Sequence, residues 1–272
     1  MMGGRDDWLG GERVLVIRPA GQSGALAQAI RAAGGVPVEL PTIDILPVGD
    51  PGALDEVLRA VHRYDLVVFV SANAVRQFAA RAKIIGVAGL SALRRAAAPG
   101  PATAMELSGG GAASVVHPRE RFDSEGLITE LQAVGLDFTR VLIVRGSGGG
   151  DSGEGSGREA LAEWLRSRGA RVDSVAAYLR RPAEMTADQR NALLASPRPA
   201  ALLVSSSEGG RHLVAMLGEA GRAWLAGAVV LVPHERIATA MREAGFKDVR
   251  VTSGGDAGLM TGLARHFQGA PA

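Results

Sequence analysis

The chain has 272 residues, a formal net charge of +2, 47% hydrophobic residues and no cysteine. This length predicts about two domains, and the apolar fraction is sufficient for buried cores. The lack of cysteine excludes disulfides and thiolate catalysis, while the near-balanced charge argues against a nucleic-acid or membrane-surface protein. The 5 histidines are isolated from one another, so a metal site is not expected. Without an apolar leader or a bilayer-spanning apolar run, the chain is predicted to be soluble and cytoplasmic.

Strands and helices are predicted to alternate along the chain, after a loose tail over residues 1–12. The predicted strands are mostly continuous apolar runs, which is typical of buried parallel sheets. They are Val14–Ile17, Val36–Leu40, Asp65–Val70, Ala96–Ala98, Ser114–His117, Val141–Val144, Val172–Leu179, Ala200–Val204, Val229–Val232 and Val249–Val251. The predicted helices lie between them, over residues 24–33, 51–62, 74–81, 102 onward, 125–133, 158–168, 187–195, 212–217, 237–244 and 256–267. Such alternation predicts an α/β fold with helices on both faces of parallel sheets.

Three segments of the first half recur in the second half. The pairs are Val14–Arg18 with Val141–Arg145, Leu66–Ser71 with Ala200–Ser205, and Ala102–Met105 with the identical Ala238–Met241. The repeat is too long for a solenoid unit and predicts two similar domains. A cleft between two such domains is where a ligand is expected.

The turns that connect strands to helices are the informative places, because ligands of parallel sheets bind beyond the carboxyl ends of the strands. These turns are rich in hydroxyl groups, and the helix starts beside them offer backbone N–H groups that suit carboxylates or phosphates. The alternative is that their serines and threonines only cap helices. The turns are Arg18-Pro19, Ser71–Asn73, Pro99–Thr103, Arg145-Gly146, Ser205–Glu208 and Pro233–Ile237.

Four side chains near these turns have both a functional and a structural interpretation. Arg18 and Arg145 end equivalent strands, and each is predicted either to bind a ligand carboxylate or to hold backbone carbonyls. Tyr178 lies near the expected crossover between the domains and is either a proton donor or a packing residue. His234 could titrate at its turn, although the sequence shows no catalytic partner for it.

The tract Gly146–Gly157 is rich in glycine and serine. Its segment Gly148–Gly153 matches GxGxxG by letter, but no helix is predicted to start inside it and no acidic residue follows a well-placed second strand. A mobile loop is therefore favoured over a dinucleotide site. A nucleotide-dependent oxidoreductase using this tract is a rival hypothesis.

Weak motifs spread from Val14 to Leu263 resemble, in order and spacing, the uroporphyrinogen-III synthase family. No single motif is specific, and their succession along the chain carries the resemblance. The motifs are Val16–Pro19, Asp65–Val75, Gly100–Ala104, Phe122–Leu127, Val144–Gly146, Gly157–Glu159, Gly169–Val172, Tyr178, Val204–Gly209, Pro233–Ala238 and Gly245-Phe246.

The resemblance implies two flavodoxin-like α/β domains with parallel sheets, joined by a two-stranded β linker. Domain 1 would comprise residues 1–41 and 181–272, and domain 2 would comprise residues 48–172. The linker strands would be residues 42–47 and 173–180.

The family's reaction closes the linear tetrapyrrole hydroxymethylbilane to uroporphyrinogen III, with loss of water and inversion of ring D through a spiro-pyrrolenine. The resemblance thus implies a lyase of haem biosynthesis that needs no cofactor or metal. It also implies a monomer with hydroxymethylbilane synthase as its upstream donor. Tyr178 is the implied catalytic proton donor. The implied substrate-binding residues are Arg18, Ser71, Ala72, Asn73, Thr103, Arg145, Ser205, Ser206 and Ile237.

Two features depart from the family's pattern. Ile237 stands where many members have threonine; Thr239 matches Thr103 better in the repeat, whereas the distance to the next glycine favours Ile237. The insertion between Gly146 and Gly157 is predicted to be a disordered loop. A non-catalytic two-lobed binder of anionic small molecules would share the same fold and is the main alternative function.

Overall fold

The structure is a computed structural model that describes residues 7–135, 137–148 and 154–269, with the side chains of 154–158 left out. The chain forms two compact units. Unit 1 comprises Met1–Asp44 and Arg181–Ala272, and unit 2 comprises Ile45–Arg180. The chain therefore leaves unit 1, builds unit 2 and returns.

Strands and helices alternate as the sequence predicts. The strands are β1 (Arg13–Ile17), β2 (Val36–Glu39), β3 (Ile43–Pro47), β4 (Leu66–Phe69), β5 (Ala96–Ala97), β6 (Val115–Val116), β7 (Arg140–Ser147), β8 (Arg171–Pro182), β9 (Ala201–Val204), β10 (Val229–Val232) and β11 (Val249–Val251). The helices are α1 (Gly24–Ala32), α2 (Gly52–Arg59), α3 (Ala72–Ile84), α4 (Pro101–Gly109), α5 (Ser124–Val134), α6 (Glu154–Ser167), α7 (Ala187–Ala195), α8 (Ser207–Trp224), α9 (Glu235–Glu243) and α10 (Gly255–Gln268).

Unit 1 contains a parallel sheet with the strand order β2-β1-β9-β10-β11. Successive residues of a strand point to opposite faces. Leu15 and Ile17 accordingly pack in the core on one face, and Val14 and Val16 pack in the core on the other. Because both faces are covered, the strands read as continuous apolar runs, which is why the sequence locates them well.

Unit 2 contains a six-stranded sheet with the order β3-β8-β7-β4-β5-β6. The pairs from β8 through β6 are parallel. Val67 and Phe69 of β4 face one core, and Leu66 and Val68 face the other. The aromatic rings of Phe69 and Phe78 meet edge to face in the first of these cores, with centroids 5.2 Å apart.

The two units are circular permutations of one topology. Taken along the chain, unit 1 has the flavodoxin-like order 2-1-3-4-5. The order β8-β7-β4-β5-β6 of unit 2 is the same arrangement, with β7 in the place of β1 and β4 in the place of β9. The first two pairs of repeated segments therefore belong to equivalent strands, and the third pair belongs to the equivalent helices α4 and α9. Each unit nevertheless combines strands from different parts of the repeat, so chain halves are not units.

The segments predicted as linker strands are β3 and part of β8. Strand β8 pairs with β7 from Arg171 to Leu179, so most of residues 173–180 belong to the sheet of unit 2. Strand β3 hydrogen-bonds to β8 at the edge of that sheet. Pairing of this kind satisfies backbone groups that an isolated extended segment would leave to water.

Residues 7–12 are not a loose tail. Leu9 is 1% exposed and packs in a core of unit 1. Its N–H donates to the carbonyl of Ala33, and the N–H of Gly11 donates to Gly34. Leu9, the partly buried Trp8 beside it and a few backbone bonds thus anchor a segment whose sequence shows no periodicity.

Helix α6 begins at Glu154, inside the tract that the sequence predicts to be a loop up to Gly157. Residues 149–153 of this tract lie outside the described residues, so the predicted disorder stays a prediction. Ser23 precedes α1 but does not cap it, because its backbone is helical rather than extended and its hydroxyl donates to the carboxylate of Glu39.

Candidate active site

Each sheet has a point at which the strand order changes direction, between β1 and β9 in unit 1 and between β7 and β4 in unit 2. Ligands of open α/β sheets bind beyond the carboxyl ends of the strands at such a switch point. Most of the predicted binding residues follow these four strands or, like Arg145, lie near the carboxyl end of one of them. They are Arg18, Ser205 and Ser206 in unit 1, and Ser71, Ala72, Asn73 and Arg145 in unit 2.

Ser71 and Tyr178 are hydrogen-bonded to each other in unit 2, with 3.0 Å between their hydroxyl oxygens. Ser71 also caps α3, since its Oγ accepts a bond from the N–H of Ala74 at 3.2 Å. Tyr178 is 3% exposed and packs in a core of the same unit. The capping interpretation of Ser71 is thus correct but incomplete, because the same hydroxyl orients a phenol.

Ala72 and Asn73 are the first two residues of α3. Their backbone N–H groups belong to the turn in which the helix itself supplies no carbonyl partner. The positive end of the helix dipole lies at the same place and favours negative charge. The start of α3 can therefore bind a carboxylate through backbone atoms, beside the Ser71 hydroxyl.

Ser206, rather than Ser205, is the counterpart of Ser71. Strand pairing matches Phe69 with Val144 in unit 2 and Ile17 with Val204 in unit 1. Because β1 corresponds to β7, the offset between units is 135 (204 − 69), and 71 + 135 = 206. Ser206 caps α8 through a 3.0 Å bond from the N–H of Gly209, as Ser71 caps α3.

Replacing Ser206 with alanine is expected to lower the free energy of unfolding by about 1 kcal/mol, because α8 loses its cap. Ser205→Ala is the matched control and is expected to change it by less than about 0.5 kcal/mol. Urea unfolding of both variants measures the difference. Equal losses in the two variants would contradict the assignment of the cap to Ser206.

Thr103 and Ile237 occupy the same place in their units. Gly100 precedes α4 and His234 precedes α9, so each of the two residues is the third of its helix. Structural position therefore favours Ile237 over Thr239 as the counterpart of Thr103. Thr103 is 7% and Ile237 is 4% exposed, and Ile237 packs in a core of unit 1. Neither residue is a helix cap, and burial gives the Ile237 side chain a packing role.

The two arginines predicted at strand ends have different partners, and only Arg18 follows its strand, since β7 continues through Arg145 to Ser147. The guanidinium of Arg145 donates to Ser174 Oγ and to the carbonyl of Gly146, both at 3.1 Å. These contacts support a structural role for Arg145. Arg18 forms an ion pair with Asp256, with 2.6 Å between Nη2 and Oδ1. An arginine that already holds one carboxylate has the geometry to hold another.

Comparison with known proteins agrees with this architecture. The family described as uroporphyrinogen-III synthase HemD matches residues 24–260. The chain belongs to the uroporphyrinogen-III synthase family. It is 34% identical over 173 residues to the uroporphyrinogen-III synthase of Synechococcus elongatus, a match that spans 62% of this chain and 60% of that protein. It is 28% identical over 244 residues to the Salmonella typhimurium enzyme of the same name, spanning 89% and 96%.

Solved structures of the family share the fold. A mutant uroporphyrinogen III synthase from the extremely thermophilic bacterium Thermus thermophilus matches with a TM-score of 0.55 and 20% identity, over 96% of this chain and 100% of that one. The uroporphyrinogen-III synthetase of Helicobacter pylori matches with a TM-score of 0.58 and 16% identity, over 93% and 99%. The predicted α/β fold with parallel sheets is confirmed, whereas the two-stranded linker and the boundaries of the domains stay predictions.

Three features of this family member were not anticipated from its sequence. Asp256 is the partner of Arg18, although the sequence marks it only as the start of a helix. His234 caps α9, since its Nδ1 accepts a bond from the N–H of Arg236 at 3.1 Å, which gives it a structural role. Glu208 is 4% exposed in the first turn of α8. In the sequence, the position of His234 just before a predicted helix was the signal that could have indicated a cap.

The described part of the chain contains no helix with both the length and the apolarity to cross a bilayer. Within the same residues, no three histidine, aspartate or glutamate side chains come together in a group suited to a metal ion.

Proposed function

We propose that the chain is an enzyme, a uroporphyrinogen-III synthase, which closes hydroxymethylbilane to uroporphyrinogen III in tetrapyrrole biosynthesis. The observation that carries this proposal is the family match over residues 24–260, and the 3.0 Å hydrogen bond between Ser71 and Tyr178 at the switch point of unit 2 supports the choice of the proton donor. This bond holds the Tyr178 phenol at the place where a fold of this kind is suited to a ligand. The reaction is that of a lyase, because water leaves without a second substrate.

The first step breaks the C–O bond of the hydroxymethyl group. Tyr178 donates its proton to the departing oxygen, which leaves as water with the bonding electron pair. The tetrapyrrole keeps the positive charge as an azafulvenium cation. The phenolate left on Tyr178 is stabilised by the Ser71 hydroxyl and by the positive end of α3.

The later steps need positioning more than acid–base chemistry. The substituted carbon of ring D attacks the cation and gives a spiro-pyrrolenine, which fragments and recombines with ring D inverted. Loss of a proton restores the aromatic pyrrole. Because simple closure without inversion competes, the protein must hold the substrate in the conformation that favours attack through the substituted carbon.

The carboxylates of the substrate match the helix starts of both units. We propose that Ala72 and Asn73 bind through backbone N–H groups with the Ser71 hydroxyl next to them in unit 2, and that Ser206 binds at the start of α8 in unit 1. In unit 1, Arg18 exchanges Asp256 for a substrate carboxylate. Ser205 and Thr103 stay in the predicted set, while the contacts of Arg145 and the burial of Ile237 support structural roles.

The product isomer tests the proposal. Incubation with freshly made hydroxymethylbilane, followed by oxidation and chromatographic separation, is expected to give predominantly the type III isomer. A reaction without protein is the control and should give the non-inverted type I isomer. Type I alone in both samples would reject the proposal and favour the non-catalytic binder.

Three finer expectations accompany the enzyme assignment. We propose that the protein works in the cytoplasm, as a monomer, and receives its substrate from hydroxymethylbilane synthase. The support for each is membership of the family. Size-exclusion chromatography with light scattering, alone and mixed with the synthase, measures the second and third.

A further inference from the structure

Tyr178 and Ser71 lie on strands that are not neighbours. Tyr178 belongs to β8 and Ser71 follows β4, and β7 runs between these strands in the sheet. Adjacent strands are spaced by about 4.8 Å, so the hydroxyl must reach across the full width of β7. Whatever residue β7 presents at that point decides whether the phenol can pass.

Gly146 is that residue. It pairs with Tyr178 in the register between β7 and β8. A Cβ atom added to Gly146 would lie 2.5 Å from Cζ, 2.7 Å from Cε2 and 2.9 Å from the hydroxyl oxygen of Tyr178. Separations below about 3 Å are well inside carbon–carbon contact distance, so the ring occupies the space of a side chain at position 146.

An irregularity in the pairing brings these two residues opposite each other. The register between β7 and β8 shifts between Arg145 and Gly146, where Ala176 is followed in the register by Tyr178. Such a bulge re-aims the side chains that follow it. The hydroxyl of Ser147 also donates to the backbone carbonyl of Tyr178 at 3.3 Å, which fixes the strand just beyond the bulge.

Unit 1 provides an internal comparison. Because β1 corresponds to β7, Pro19 takes the place of Gly146 after the matching arginine. Both tyrosines of the chain lie in unit 2. Unit 2, which has a phenol at its switch point, is thus also the unit that has a glycine where the phenol crosses the neighbouring strand.

We propose that Gly146 is a positioning residue for the reaction: its missing side chain lets the Tyr178 ring cross β7 and hold its hydroxyl against Ser71. The catalytic consequence rests on the proposed function, whereas the steric coupling between Gly146 and Tyr178 does not. Any side chain at position 146 displaces the phenol from Ser71 and from the start of α3.

Gly146→Ala is expected to lower kcat by at least tenfold while KM changes by less than threefold. The matched control is Gly49→Ala, in the same unit, where an added Cβ would meet no atom within 4 Å. This control is expected to keep wild-type kcat. Initial rates with hydroxymethylbilane measure both variants. A folded Gly146→Ala protein with wild-type kcat would overturn the proposal.

A double-mutant cycle separates positioning from general damage. In the Tyr178→Phe background, Gly146→Ala is expected to lower kcat by less than twofold, because the hydroxyl that it displaces is already absent. A full tenfold loss in that background would show that Gly146 acts independently of the hydroxyl, and would overturn the proposal. If the wild-type protein forms no type III isomer, the proposed function fails. The steric coupling between Gly146 and Tyr178 is then tested by melting temperatures.

Melting temperatures also test the proposal if the Gly146→Ala protein unfolds too readily for kinetic measurements. Removing the ring should make room for the added methyl group. The melting temperature of Gly146→Ala in the Tyr178→Ala background is then expected to lie within a few degrees of Tyr178→Ala alone. An equal drop in melting temperature with and without the ring would overturn the proposal.

Discussion

Replacing Tyr178 with phenylalanine is expected to lower the turnover of hydroxymethylbilane roughly 100-fold, at the lower end of what a positioned proton donor contributes. The phenyl ring still fills the same space in the core, but no proton is available for the departing hydroxyl group. Product affinity is expected to stay unchanged, because the lost proton transfer affects only the chemical step. Initial rates and a titration with uroporphyrinogen III measure the two quantities.

Tyr64→Phe is the matched control, because Tyr64 is the other tyrosine of the chain and belongs to the same unit. Its hydroxyl donates to Asp173 Oδ2 at 3.0 Å, and burial followed by this bond raises the pKa of the Tyr64 phenol. The control is expected to cost about 1 kcal/mol of stability and to leave turnover intact. Wild-type turnover in Tyr178→Phe would remove Tyr178 from the mechanism and restore its packing interpretation.

Replacing Asp65 with alanine is expected to lower the free energy of unfolding by about 2–3 kcal/mol, since backbone donors lose a charged acceptor. Asp65 Oδ2 accepts bonds from Thr139 N at 3.0 Å, Thr139 Oγ1 at 2.6 Å and Arg140 N at 2.9 Å. These bonds join the start of β4 to the start of β7, the two central strands of unit 2. Asp50→Ala, which loses one exposed bond to Gly52, is the control and should cost less than about 1 kcal/mol.

The loss on replacing Asp65 is expected to depend on pH. The hydrogen bond from the Thr139 side chain, followed by the backbone bonds, holds the pKa of Asp65 below its ordinary value despite partial burial. A lowered folded-state pKa gives stability that is present above the unfolded pKa of about 3.9 and is lost as the pH falls through the folded value. Urea midpoints of wild type and Asp65→Ala should therefore differ at pH 7 and converge below pH 4. A difference that persists undiminished at low pH would contradict the role of the charge.

Local patterns in the sequence located most of the elements. Buried strands such as β1 and β10 are continuous apolar runs, and Asp123, a residue type favoured at helix caps, caps α5 with a 2.9 Å bond from the N–H of Gly126. The weakest prediction concerned residues 7–12, where the burial of Leu9 and the backbone bonds to Ala33 and Gly34 follow from tertiary contacts that no periodicity reveals. Helix ends were less accurate than helix positions, as α6 shows, because a helix can begin within a glycine-rich segment when its later turns pack well.

The sequence predicted which turns form the candidate site, but not which side chains contact each other there. Ser71 was named as a binding or capping residue, and it caps α3 while bonding Tyr178. The repeat aligned it with Ser205, whereas strand register aligns it with Ser206. The difference is one residue, and letter-by-letter comparison of two apolar strands does not fix register, since neighbouring alignments match almost equally well.

The sequence alone determined the alternation of strands and helices, the internal repeat and the family, because these depend on local burial patterns and on their succession. The tertiary structure decided which side chains meet. Ser71 and Tyr178 are 107 residues apart and Arg18 and Asp256 are 238 residues apart, so their contacts follow from strand order and not from local pattern. The bulge beside Gly146 completes the arrangement, because a shift of one residue in the pairing of two strands determines where the phenol points.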